Sequence, residues 1–229
     1  MKRISFDKKS FKKFLETAKV INNNGRYVFD VNGELIKINP VFLEDFYNSK
    51  KALHPSYGVN VDQIEWLSNL DYKVSSSLPN GIVSFDHKNI GVIYPNIFYG
   101  YADFNKLPRE EKLTFLNNLK TAINKHIELM QNGIYNKDFI NKNILYKGED
   151  VQLIDLDGKY ISNEYCNTYE YFIDNLRTIL MQKIRKGYSV KEFLEIMKEV
   201  DSIIKEGYNS SIDCPLQIVK KVEKMNVIK

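Results

Sequence analysis

The stretch Asn136-Lys137-Asp138-Phe139-Ile140-Asn141-Lys142-Asn143-Ile144-Leu145, followed closely by Val151-Gln152-Leu153-Ile154-Asp155-Leu156-Asp157-Gly158, decides how this chain is read. It sets an Asp, an Asn five residues later and a second Asp at the end of an apolar run. Ile144-Leu145-Tyr146 and Gln152-Leu153-Ile154 read as two short strands, with Lys147-Gly148-Glu149-Asp150 as the turn between them. A hairpin there brings Asn143 and Asp155 to the same end. Amide and carboxylate oxygens are hard donors, and a carboxylate can take up a proton. Residue by residue, the same stretch is also what a solvated Asn/Asp-rich turn presents. The order helix, Gly133, Asp138, Asn143, hairpin, Asp155 is what carries the reading.

Outward from that stretch the chain is helical. Pro108 followed by Arg109-Glu110-Glu111 marks a helix start; Leu116, Leu119, Ile123, Ile127 and Met130 repeat at helical steps, and Gly133 ends the run. Such a stripe shows core packing and nothing more. Residues 169–186 and 190–206 predict two further helices, the first lined by Phe172, Leu176, Ile179, Leu180 and Ile184, and 215–225 a last one.

The first third carries strand signals instead. Arg26-Tyr27-Val28-Phe29-Asp30-Val31 and Glu34-Leu35-Ile36-Lys37-Ile38 flank Asn32-Gly33, the strongest short hairpin signal. Gly81-Ile82-Val83-Ser84-Phe85-Asp86 and Ile90-Gly91-Val92-Ile93-Tyr94 predict a second hairpin. Between them, residues 61–70 form a helix with Ile64, Leu67 and Leu70 on its apolar face. Lys8, Lys9, Lys12 and Lys13 alternate with Phe6, Phe11, Phe14 and Leu15, which reads as the wet face of an amphipathic helix.

The central spacing resembles H-R-D-x-x-x-x-N followed by D-F-G, the catalytic motifs of the protein-kinase-like superfamily, and is similar also to aminoglycoside- and lipopolysaccharide-type kinases. The resemblance implies a two-lobed α+β fold: an antiparallel N-lobe sheet with one or two helices (residues 1–96) and a mainly helical C-lobe (97–229). It implies ATP and Mg²⁺ as ligands. Asp138 would be the catalytic acceptor of the hydroxyl proton, and Asn143 and Asp155 the metal ligands. Lys37 matches the strand lysine that contacts the α- and β-phosphates; by itself it reads as an exposed lysine on a strand. Gly25 lies where a phosphate loop belongs, Val28 would cap the adenine, and the backbone near Tyr94 and Asn96 would bind its edge. The acid pairing Lys37 is Glu65, with Asp62 in reserve, although the strictest alignment puts Gln63 there.

The sequence departs from the family at several points. Asn136 replaces the loop His, Ile140 replaces a common Lys and leaves Lys142 as the nearby cation, and Asp155-Leu156-Asp157 replaces Asp-Phe-Gly. The run 22–28 holds a single glycine, and no A-P-E follows Gly158. The reading is phosphoryl transfer to a hydroxyl, with a protein Ser/Thr acceptor narrowly ahead of a small alcohol. A pseudokinase acting as a nucleotide-binding interaction module is the alternative.

Composition bounds the rest. The chain has 229 residues, 43% of them hydrophobic, and 33 basic against 29 acidic side chains give a net charge of +4 without a block of one sign. A nucleic-acid partner would rest on that mild basicity alone. No apolar run approaches a membrane span, and no signal-peptide core opens the chain. The 2 cysteines, Cys166 and Cys214, suggest neither a disulfide framework nor a zinc site, so a reduced, cytoplasmic setting is expected. His54, His87 and His126 are scattered and read as surface or packing residues.

Overall fold

The turn at Asn32-Gly33 forms with both residues at positive φ (54° and 88°), as a type I′ hairpin requires. A computed structural model describes residues 1–22, 27–48, 59–70, 78–95, 100–107, 111–156, 161–162, 168–207 and 214–228. The chain is α+β and divides into two units: Met1–Tyr99 with Leu156–Lys159, and Gly100–Asp155 with Tyr160–Lys229.

The first unit is a six-stranded sheet. Its strands are β1 (Lys2–Phe6), β2 (Lys19–Asn22), β3 (Tyr27–Val31), β4 (Glu34–Ile38), β5 (Gly81–Phe85) and β6 (Lys88–Tyr94), in the order β1-β5-β6-β4-β3-β2. Among the described residues three helices accompany it: α1 (Lys8–Thr17), α2 (Pro40–Tyr47) and α3 (Val61–Ser68). Each begins at a residue able to cap it. Asp7 and Ser10 form a reciprocal capping box on α1. Asn39 Oδ1 accepts from the Val41 N–H (2.8 Å) just ahead of Pro40 at N1 of α2, and Asn60 Oδ1 accepts from the Gln63 N–H (3.1 Å) on α3.

One face of the sheet, with Phe29, Ile36, Ile38, Val83 and Ile93, packs against Phe11 of α1 and Phe42 and Leu43 of α2. Phe11 is the hub, with the rings of Phe6, Phe14, Phe42, Phe46 and Phe85 all within 5.9 Å of its own. The opposite face carries Ile82, Val92 and Tyr94 against Ile64 of α3.

Two expectations need correction. The sheet is mixed, because β1 joins its edge parallel to β5 in the register Lys2↔Gly81 to Phe6↔Phe85 while every other pairing is antiparallel. Alternation sets which face of β1 turns inward: Ile4 and Phe6 reach the α1/α2 core, and Arg3 stays exposed. Phe6 is accordingly a strand residue, and the basic helix starts only at Lys8.

The second unit is mostly helical. It contains β7 (Ala102–Asp103), α4 (Lys112–Gln131), β8 (Tyr135–Asn136), β9 (Ile144–Lys147), β10 (Asp150–Leu153), β11 (Ile161–Ser162), α5 (Thr168–Ile184), α6 (Val190–Gly207) and α7 (Cys214–Lys224). The expected stripe of α4 is buried, as are Phe172, Leu176, Ile179, Leu180 and Ile184 of α5. Lys120 of α4 pairs with Glu223 near the end of α7 (2.6 Å), and Arg177 of α5 makes a bidentate pair with Asp201 of α6 (2.5 and 2.8 Å). Among the described residues no helix is long and apolar enough to cross a membrane.

Candidate functional site

The central loop starts from the way α4 stops. Gly133 takes φ 75°; its N–H donates to the Met130 carbonyl (3.0 Å) and the Ile134 N–H to the Leu129 carbonyl (2.9 Å), the paired bonds of a Schellman motif. The chain turns back into β8, which pairs with β11 and ends on Asn136. Asn136 is 2% exposed, and its Oδ1 accepts the Asp138 N–H at 2.8 Å. This is an Asx-type turn built on the asparagine side chain.

Asp138 and Asn143 meet directly. Asn143 Nδ2 donates to Asp138 Oδ2 (2.7 Å) and to the Asp138 carbonyl (3.1 Å), which closes the loop on itself. The Asn143 carbonyl accepts the Ile154 N–H (2.9 Å), immediately beyond the β9/β10 ladder that ends at Leu153↔Ile144. The hairpin turns at Gly148, with φ 62°, and so returns the chain to where it left Asn143. Asp155 then sits at φ 64°, a left-handed conformation that Asp tolerates but that is uncommon outside glycine. Such conformations concentrate where the surrounding structure aims a side chain.

Helix α5 secures this loop from the other side. Asn175 Nδ2 donates to the Lys137 carbonyl (3.0 Å), and Asn141 Nδ2 donates to Gln182 Oε1 (2.6 Å). Phe139, 1% exposed, packs edge-on against both His126 and Phe172. Sequence reading named neither Asn175 nor Gln182, because amides on a helix carry no local sign of a distant carbonyl. His126 was legible in principle, since it falls three residues after Ile123 on the stripe that buries α4.

In the first unit Lys37 lies on β4 directly opposite Val28 of β3 and Val92 of β6, so the three side chains share the sheet face that packs on α3. Gly91 faces Ile38 across that ladder. A Cβ on Gly91 would lie 2.4 Å from the Lys37 carbonyl oxygen, so only glycine lets the two strands approach this closely. On α3, Glu65 and Asp62 are exposed and Gln63 is half-buried. Tyr94 closes β6, 6% exposed. Gly25 and Asn96 lie outside the described residues, as does Gly158.

Among the described residues no group of three or more His, Cys, Asp or Glu side chains is placed to hold a metal. Asn143 and Asp155 lie at one end of the β9/β10 hairpin. No protein-family model matches the chain, and no curated protein matches it.

Proposed function

We propose that the chain is a cytoplasmic phosphotransferase of the protein-kinase-like type, moving the γ-phosphoryl group of ATP to a hydroxyl. The observation that supports it most is the closed loop in which Asn143 bonds Asp138 by its side chain and, by its carbonyl, the strand leading into Asp155. Two carboxylates and an amide are thereby tied to one hairpin.

Asp138 would accept the hydroxyl proton as the acceptor oxygen bonds to the γ-phosphorus and the bond to the ADP oxygen breaks. The Asn143 amide N–H, 2.7 Å from Asp138 Oδ2, orients that carboxylate and leaves its other oxygen for the acceptor. Asn143 and Asp155 would hold Mg²⁺, which, when bound, offsets the charge of the phosphates. Lys37 would contribute a fixed cation for the α- and β-phosphates, with Val28 and Val92 beside it forming an apolar surface for the base; a two-lobed arrangement with antiparallel strands β2 to β6 as the N-lobe sheet belongs to this reading. Protein Ser/Thr and small alcohols are the acceptor classes, in that order.

A pseudokinase is the second reading, and the exposure of Glu65 favours it, because an acid that anchors a lysine is ordinarily sheltered. One assay separates the two. Label from γ-labelled Mg-ATP is followed into a panel of proteins and small alcohols, beside Asp138→Ala and Asp155→Ala. Transfer by wild type, falling by about 10²–10⁴-fold in Asp138→Ala, is expected. Unchanged turnover in Asp138→Ala removes that residue as the base, and Mg-ATP binding without transfer to any acceptor favours the pseudokinase.

A further inference from the structure

His126 is fully buried on α4, its ring flat against Phe172 of α5 (centroids 4.1 Å apart, planes at 4°) and edge-on to Phe139 (4.9 Å, 81°). Phe139 and Phe172 also touch each other (4.8 Å), and Phe139 adjoins Asp138 in the chain. Neither ring nitrogen of His126 has a hydrogen-bond partner among the described residues. Whichever nitrogen carries the proton, a buried N–H lacks an acceptor there, which a phenyl ring of nearly the same shape would avoid. Packing alone does not account for an imidazole at this place.

Among the described residues no carboxylate is paired with the ring. On α4 the ring's neighbours on the buried stripe, Ala122, Ile123, Ile127, Leu129 and Met130, are apolar. Lys125 on the same helix has its Nζ 3.8 Å from Asp150, and Glu128 is half-buried. In the loop, Lys137 lies over the Tyr171 ring (5.6 Å) and Asp138 is bonded to Asn143. On α5, Glu170 and Asp174 are exposed. Burial is therefore what acts on the ring, lowering its pKa from 6.5 to about 3.

We propose that His126 is a positioning residue that makes the seating of the catalytic loop pH-dependent: the neutral ring holds Phe139 in place, and protonation drives the ring from its slot and frees the segment bearing Asp138. Its meaning for catalysis rests on the phosphotransferase reading, whereas the structural event does not. The closed form holds the ring's pKa below its free value, so the open form binds more protons between about pH 6.5 and 3. Closure is fully favoured above about pH 6.5 and loses ground as the pH falls.

Hydrogen exchange at the Asp138 and Ile140 amides tests this, because both N–H groups are bonded within the loop, to Asn136 Oδ1 (2.8 Å) and the Asp138 carbonyl (3.0 Å). After correction for intrinsic exchange, protection is expected to fall about tenfold per pH unit below about 6.5 in wild type. It should stay level in His126→Phe, which keeps the ring stack and cannot titrate. A level wild-type profile, or the same slope in both proteins, overturns the proposal. If His126→Phe does not fold, His126→Leu serves in its place, together with ¹⁵N shifts of the wild-type imidazole; a ring that takes its proton near pH 6.5 while the loop stays protected also overturns it. Label transfer is followed on the same samples. Acid-dependent protection without transfer at any pH retains this proposal and removes the phosphotransferase reading.

Discussion

The strand that carries Lys37 and the loop that carries Asp138 are held by different kinds of bond. Lys37 owes its backbone position to ladders on both sides, to Val28 and Val92, and to the close approach of Gly91. Asp138 is placed by side-chain amides: Asn136 and Asn143 on either side of it in the chain, with Asn175 and the Asn141–Gln182 pair clamping its neighbours. A ladder is shared with the whole sheet, so displacing Lys37 means loosening the unit. Amide contacts can be removed one at a time, and the helices beneath remain packed.

That contrast sets the order of expected effects. Asn143→Ala removes the contact to Asp138 and one proposed metal ligand, so label transfer should fall about 10²-fold or more. The melting temperature should move only about 4–8 °C, as for the loss of two hydrogen bonds in a chain of this size. A larger stability loss would mean that the loop is as cooperative as the sheet. Gly91→Val should do the reverse, lowering stability by about 1–3 kcal/mol through overpacking against the Lys37 carbonyl and weakening Mg-ATP binding in parallel. Urea denaturation and nucleotide titration of the same variant check both halves, and unchanged stability would show that the strands can part without cost.

Asn136→Ala deletes only the brace on the Asp138 N–H, worth about 1 kcal/mol. A fall in kcat of up to about tenfold with KM unmoved is expected; a rise in KM instead would place Asn136 in substrate binding. The smallest change is expected for Arg177→Ala. The Arg177 and Asp201 side chains are 39% and 44% exposed, so their pair should contribute under about 1 kcal/mol despite its two short bonds. A double-mutant cycle with Asp201→Ala measures that coupling.

What the sequence showed follows the range of the interactions. The Asn32-Gly33 hairpin, the stripe of α4 with its stop at Gly133, and the turn at Gly148 depend on a few neighbouring residues, and all are present. The spacing of Asp138, Asn143 and Asp155 was readable for the same reason. Helix α2 carried a local signal too, an asparagine cap before Pro40, although the hydrophobic pattern there did not single it out. The parallel pairing of β1 was not legible, since nothing near Lys2–Phe6 indicates which distant strand it will meet. The contacts of Asn175 and Gln182 to the loop were hidden likewise, because they exist only once α5 has packed.

The parallel edge strand also has a consequence for timing. β1 is made well before its partner, Gly81–Phe85, which comes only after β2, β3 and β4. At about 5–20 residues per second, the ribosome leaves Lys2–Phe6 waiting for several seconds with its backbone donors and acceptors unpaired. During that interval the growing chain presents an open strand able to pair with another copy. Closing the sheet is therefore also what ends its exposure to misassembly, and a chain lacking its first six residues would keep β5 as a permanent open edge.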